Sequence, residues 1–362
     1  MATKAASEKG SDTTINDFDT PEDRALVRKI DLRLLPILTL LYLLSFLDRT
    51  NIGNAKIVGL TTDLHVSPPE YNTALALYFV AYVIFEVPAN SEALQPTNLA
   101  AYAYVVLGNR EHMSGPGREQ GWVVWDTVPH ERSWRVAIFF GGAALAGAFG
   151  GILAYAIGKM DGVGGRKGWE WIFILEGILT VAIALVAYFI VPTWSHKAKF
   201  LTESEKARLF QRLNADSDAA LIEKFEWVYV KQALTDHLVW GYAMLFHGFA
   251  FVLYSLSLFL PTIIAGLGFE SWQAQLMTVP PNSLAAISIW VTVWFSSKYN
   301  ARAPFILGAA VVAIIGYIIL LTTKTAGAQY VGVLFAAAGV YTGNALLLRQ
   351  VNPSYSFLSI LC

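Results

Sequence analysis

The sequence predicts an all-α multi-pass membrane protein, and three observations support this fold class. Hydrophobic residues make up 55% of the 362 residues and charged residues only 15%, a balance too apolar for an ordinary water-soluble domain. Eight apolar segments are each about as long as the roughly 20 residues that a helix needs to cross a bilayer. Lysine and arginine lie mainly on one side of these segments.

The eight segments follow from a length criterion, because lipid offers no hydrogen bonds and only a closed helical ladder satisfies the backbone there. They cover 34–54, 72–91, 136–158, 170–191, 238–265, 274–297, 303–322 and 328–348. With a cytoplasmic N-terminus, 20 of the 26 lysines and arginines fall on the cytoplasmic side. We therefore expect the chain to lie in the plasma membrane with its N-terminus inside.

The segments divide the chain into two helical bundles and three flanking or linking parts. We predict a cytosolic N-terminal arm over 1–33, an N-terminal bundle over 34–191 with a divergent stretch at 92–130, a cytosolic central loop over 192–237, a C-terminal bundle over 238–348 and a divergent tail over 349–362. Thr20 before Pro21 predicts a capped helix in the arm. Thr202 and Glu205 have capping-box spacing and predict a short helix through Leu213 in the central loop.

Several classes of function have no support in the sequence. The net charge of −1 argues against a nucleic-acid partner, which would need a basic face. The single cysteine, Cys362, permits neither an internal disulfide nor a cysteine-ligated metal cluster. The polar start of the chain predicts no secretory signal peptide. We find no catalytic motif, and the glycine-rich loop 161–168 does not match a phosphate-binding pattern. We expect no enzyme activity, no cofactor and no metal, and we expect a monomer.

Charged side chains inside a membrane are costly, so each one is a candidate for function. Asp48 and Arg49 follow the apolar core of the first span, with Asn51 close behind. Arg49 can donate two parallel hydrogen bonds to a substrate carboxylate, while Asp48 can take up and release a proton. The alternative is a self-neutralising pair that anchors the helix end at the interface.

Two glutamates lie inside apolar spans and could carry protons. Glu86 comes two residues before Pro88, which loosens the helix locally, and Glu176 stands within the segment WIFILEG. Burial favours the neutral form of such a carboxyl group. The alternative for both is a structural hydrogen bond to a neighbouring helix.

Three polar residues in the second bundle are candidates for substrate contact. His247 and Tyr254 share one face of the fifth span with Phe251, a face suited to an aromatic or planar solute, and Asn344 in the last span is a weaker candidate. The alternative for His247 is a hydrogen bond between helices. The small residues of 141–151 are interpreted as a helix-packing surface rather than a binding site.

Several stretches resemble the anion:cation symporter branch of the major facilitator superfamily, within it most nearly the fungal allantoate and high-affinity nicotinate permeases. They are KIDLRLLPILTLLYLLSFLDRTNIGNAKIVGL (29–60), ALYFVAYVIFEVPAN (76–90), RKGWEWIFILEGILT (166–180), KFLTESEKARL (199–209) and LYSLSLFLPTII (253–264). The resemblance covers roughly 20–91 and 131–348. It implies two six-helix bundles around a cavity that opens alternately to each side. It also implies roles in proton coupling and organic-anion binding for Asp48 and Arg49.

The chain departs from the family pattern in two places. Residues 91–129 hold no counterpart of the family's third and fourth helices, and the chain stops after the tenth, so about eight of twelve helices are expected. The predicted function is proton-coupled symport of a small organic anion such as nicotinate or allantoate. The alternative is a transport-inactive product of truncation or mis-splicing, or a receptor-like regulatory relative.

Overall fold

The structure is a computed structural model that describes residues 20–90, 129–191, 198, 200–216, 231, 234–299 and 301–348. Within these ranges every regular element is a helix. The ten longer helices are α1 (Pro21–Ala55), α2 (Pro68–Asn90), α3 (Pro129–Gly158), α4 (Gly168–Ile190), α5 (Glu203–Asp216), α6 (His237–Gly266), α7 (Ser271–Leu276), α8 (Val279–Lys298), α9 (Ala303–Thr322) and α10 (Ala326–Leu348).

Seven stretches of the described residues are helical, long and apolar enough to cross a bilayer. They contain seven of the eight predicted spans, and the span predicted at 72–91 falls on α2, where most side chains beyond residue 77 lie outside the described part. The all-α multi-pass prediction is therefore confirmed. One boundary needs correction, because the span predicted at 274–297 begins with the separate short helix α7 before α8.

Helix α1 starts earlier than the first predicted span. Thr20 caps it, and Thr20 and Asp23 exchange the reciprocal hydrogen bonds of a capping box. The helix then runs without a break through residue 33, the predicted boundary between the cytosolic arm and the first span. The capped helix and the first span are thus one rod of 35 residues, of which only part is needed to cross a bilayer.

The helix α5 of the central loop packs beneath α1. Its predicted capping box is present, since the Thr202 amide donates to Glu205 Oε2 and the Glu205 amide donates to Thr202 Oγ1. Leu209 of α5 joins a buried apolar cluster with Leu26 and Ile30 of α1 and Val191 at the end of α4. We call this end of the molecule, where α1 begins, the inner end, and the opposite end, where α1, α3 and α6 terminate, the outer end.

The two predicted bundles meet at several helix pairs, and at the pairs α1–α6 and α3–α8 glycines allow the close approach. A Cβ atom added at Gly53 of α1 would lie 2.4 Å from the Leu258 carbonyl oxygen of α6. A Cβ at Gly147 or Gly151 of α3 would lie within 2.8 Å of atoms at the start of α8 or in the turn before it. This agrees with the interpretation of 141–151 as a packing surface.

Candidate functional site

Three predicted site residues of α1 reach three different neighbours. Thr180 of α4 donates a hydrogen bond to Asp48 Oδ2 at 3.3 Å. Arg49 Nη1 donates to the Tyr254 hydroxyl of α6 at 3.2 Å, and Asn51 Nδ2 donates to Glu176 Oε2 of α4. All three contacts arise from about one turn of α1, whose successive residues point to different sides of the helix.

The contact between Arg49 and Tyr254 joins the two bundles. It lies one turn from the crossing of Gly53 with Leu258, so α1 and α6 are held close at this point. Arg49 is half-buried, and the neutral hydroxyl of Tyr254 is one of its partners. A carboxylate would be a stronger acceptor for the guanidinium than this hydroxyl.

Asn51 and Glu176 form a buried polar pair between α1 and α4. Asn51 is 1% exposed and Glu176 is 2% exposed. Within the described residues, Asn51 Oδ1 and Glu176 Oε1 have no hydrogen-bond partner. The pair thus makes one hydrogen bond, and its two other oxygen atoms, Asn51 Oδ1 and Glu176 Oε1, are buried acceptors without a donor among the described residues.

The remaining predicted residues do not join this group. Glu86 lies in α2, and its side chain is outside the part that the structure describes. His247 is exposed and its Nδ1 lies 2.8 Å from the Ala243 carbonyl oxygen of its own helix, so the alternative of a bond between helices is not observed. Asn344 is buried in α10, and its Oδ1 has no partner among the described residues.

A second set of polar residues, which the sequence analysis did not single out as site residues, lies where the two bundles meet. Thr50 and Asn54 of α1 face Ser257, Thr278, Asn282 and Tyr341 across a void of about 10 Å³. A void of this size holds about one water molecule. The bundles are thus closed here, and Asn282 Oδ1 lacks a described partner. An asparagine inside an apolar span was the signal that would have marked Asn282.

The described residues contain no group of three or more His, Cys, Asp or Glu side chains placed to hold a metal ion. The geometry instead defines a class of protein, a multi-pass membrane protein whose charged and polar side chains meet between two packed groups of helices. Such an arrangement is typical of transporters that alternate between two openings.

Comparison with known proteins identifies the family. Residues 123–356 match the family model of the Major Facilitator Superfamily. An uncharacterized transporter of Schizosaccharomyces pombe is 33% identical over 92% of this chain and 73% of its own length. An MFS-type transporter of Penicillium expansum is 34% identical over 94% of this chain and 72% of its own. The high-affinity nicotinic acid transporter of Saccharomyces cerevisiae is 32% identical over 90% of this chain and 65% of its own.

The chain belongs to the major facilitator superfamily, a family of membrane transporters. The resemblance predicted from its sequence motifs is confirmed. The all-helical structure and its candidate spans agree with an incomplete form of that fold.

Proposed function

We propose that the chain is a proton-coupled symporter for a small organic anion of the nicotinate or allantoate type, with Arg49 as the anion-binding residue. The contact between Arg49 and Tyr254 is the observation that carries this proposal, since it places a cation at the junction of the two bundles. A substrate carboxylate that replaces the Tyr254 hydroxyl would gain a charge-assisted, two-pronged hydrogen bond. A nicotinic acid transporter among the relatives supports the choice of an aromatic carboxylate.

The face of α6 that carries Tyr254 suggests the route to Arg49. Leu258 on this face packs against Gly53, whereas Phe251, nearer the inner end, is 76% exposed and His247 is also exposed. This face of α6 is therefore covered by α1 at the crossing and is not covered by the described residues below it. We propose that substrate leaves along His247 and Phe251, and that Asn344 contacts it in another conformation.

The pair formed by Asn51 and Glu176 supports a proton site. An ionised carboxylate at this burial, with one oxygen unpaired, would be costly. A protonated Glu176 supplies one hydroxyl donor, and after rotation of the Asn51 amide that hydroxyl can pair with Asn51 Oδ1. Glu176 is thus the proposed proton carrier, and Asp48, which is exposed beside it on α1, is the proposed group that exchanges the proton with water. Glu86 remains a further candidate.

The test uses the full chain reconstituted in sealed vesicles and labelled nicotinate. We expect Arg49→Ala to lower nicotinate uptake by about tenfold or more, since a charge-assisted bidentate contact is lost. We expect Glu176→Gln to abolish accumulation driven by a pH gradient while exchange of labelled for unlabelled nicotinate continues. Arg166→Ala is the matched control, because Arg166 is exposed at the outer end and pairs with Glu170.

The outcomes separate the proposal from its alternative. Undiminished uptake by Arg49→Ala would remove the anion-binding role of this residue. If the folded wild-type chain moves neither nicotinate nor allantoate in either direction, the alternative of a transport-inactive or receptor-like relative replaces the proposal. Accumulation that is independent of the pH gradient would contradict proton coupling.

A further inference from the structure

A cavity of about 440 Å³ lies at the outer end, apart from the Arg49 site. Tyr155 and Lys159 at the end of α3 form one wall, and Trp272 and Gln275 of α7 form the other. Each predicted bundle thus contributes one wall. The volume is within the range of small-molecule sites, which runs from about 300 to 1,000 Å³.

The walls combine one cation with two aromatic rings. Lys159 Nζ lies 4.5 Å from the centre of the Tyr155 ring, and the Tyr155 and Trp272 rings are 6.0 Å apart at 40°. No carboxylate among the described residues lies within 4.0 Å of Lys159 Nζ, whereas Lys167 at the same end has Asp63 at 3.5 Å. The ammonium group of Lys159 is therefore not engaged by an anionic side chain of the described residues.

A hydrogen bond fixes Trp272 in the second wall, and the same helix carries a buried amide donor without an acceptor among the described residues. Glu270 Oε2 accepts a hydrogen bond of 2.6 Å from Trp272 Nε1, and the Glu270 amide donates to Gln273 Oε1 at the start of α7. Glu270 is therefore engaged with its own helix and orients the indole ring. Gln275 is 2% exposed, and its Nε2 has no acceptor within the described part of the chain.

The cavity is closed toward the Arg49 site. Ser271 Oγ donates a 2.6 Å hydrogen bond to the Ile57 carbonyl oxygen, which ties α7 to the end of α1. Below this contact, a Cβ at Gly151 would lie 2.4 Å from the Gln275 carbonyl oxygen, so the two backbones are in contact. A solute in the cavity is thus separated from Arg49 until α7 moves.

We propose that this cavity is an outer binding site for aromatic carboxylates. The carboxylate binds there before the outer end opens. The proposal rests on the proposed transport of organic anions and names a second site for the same substrate class. The 6.0 Å between the two rings leaves no room for a third ring between them. The ligand ring therefore lies against Trp272 rather than between the two rings, with its carboxylate directed to Lys159.

The test is chemical protection of Lys159 in the full chain in sealed vesicles. A membrane-impermeant amine-acetylating reagent is added outside with benzoate or with its neutral analogue benzamide, and acetylation at each lysine is measured by peptide mass spectrometry. We expect benzoate to slow acetylation of Lys159 by about threefold, as a ring-stacking contact and an exposed ion pair of modest strength imply. Lys324 is the internal control, because it is also exposed, lies in the loop between α9 and α10 at the same end, and does not line the cavity.

Variants assign the protection to this cavity. Trp272→Ala should abolish protection of Lys159, Trp272→Phe should retain part of it, and Arg49→Ala should leave it intact. Equal acetylation of Lys159 with and without benzoate overturns the proposal, as does equal protection by benzamide or persistence of protection in Trp272→Ala. Protection of Lys159 in a chain that transports no anion would overturn the proposed function alone.

Discussion

At the inner end, α1 is joined to its neighbours by ion pairs, whereas near the outer end it meets α6 through a glycine. Asp31 accepts hydrogen bonds from Arg135 Nε and Nη2 of α3, and Asp23 accepts two from Arg208 of α5. Gly53 has no side chain and touches the α6 backbone. The attraction between charges falls off slowly with distance, but the packing at a glycine contact depends on close backbone approach.

The difference predicts how each end fails. Removal of one partner from a buried ion pair leaves the other charge in a poorly solvating site. Addition of a methyl group to a glycine contact forces two backbones apart. Loss of charge should therefore be most damaging at the inner end, and gain of volume should be most damaging toward the outer end.

The largest effect is expected at Asp31. Arg135 is 2% exposed and Asp31 is one of its partners, at 2.8 and 3.1 Å, so Asp31→Ala removes two charge-assisted hydrogen bonds and should lower the free energy of unfolding by about 3 kcal/mol. Thermal unfolding of the detergent-solubilised protein measures the loss. The control is Glu203→Ala, which removes the ion pair between Glu203 and Lys206. The Glu203 side chain is 90% exposed, so this variant should change the free energy of unfolding little. Equal effects of the two variants would refute the ranking by burial.

The second effect is expected at Gly151. A Cβ at this position would lie 2.2 Å from Thr278 Oγ1 as well as against the Gln275 backbone, so Gly151→Ala should destabilise the closed outer end by about 1 to 3 kcal/mol. Thermal unfolding again gives the loss. Gly248→Ala is the matched control, since no atom lies within 4 Å of the added Cβ there and alanine favours a helix. If Gly248→Ala is destabilised as well, the loss of stability in Gly151→Ala does not arise from packing at the glycine contact.

The parts of the fold that depend on neighbours in sequence were predictable. Apolar length gave the spans, and the spacing of Thr202 and Glu205 gave the start of α5, because both depend on residues within a few helical turns. The continuous α1 was missed because charged residues in its first turns resemble a surface helix. They are accommodated by ion pairs with α3 and α5 that only the folded structure supplies.

The sequence identifies individual candidate residues of the site, and their role stays a prediction, whereas it does not identify the contacts between them. Intramembrane charge marked Asp48, Arg49 and Glu176, since each is costly without a role. The partner of Asn51 lies 125 residues away along the chain, and no local pattern encodes that contact. Asn282 carried a local signal, as an asparagine inside an apolar span, but its contact with Gly147 depends on the crossing of α3 and α8.

The smallest effect is expected at the ion pair of Glu205 with Lys29, in which both side chains are partly exposed. Lys29 Nζ lies 2.8 Å from Glu205 Oε2, and this hydrogen bond, with that of the Thr202 amide, holds the pKa of Glu205 below its usual value. A lowered carboxyl pKa means that the contact stabilises the fold above the unfolded-state pKa and is lost as the pH falls through the folded-state pKa.

Glu205→Gln should therefore lower the melting temperature slightly at neutral pH, by less than either variant above, and the difference from the wild type should vanish in acid. The difference should also shrink at high salt, because both side chains are partly exposed to screening ions. Melting curves of the two proteins across pH and salt measure this. Glu203→Gln serves as the control on the same helix, and a Glu205→Gln difference that grows in acid would reverse the assigned sign.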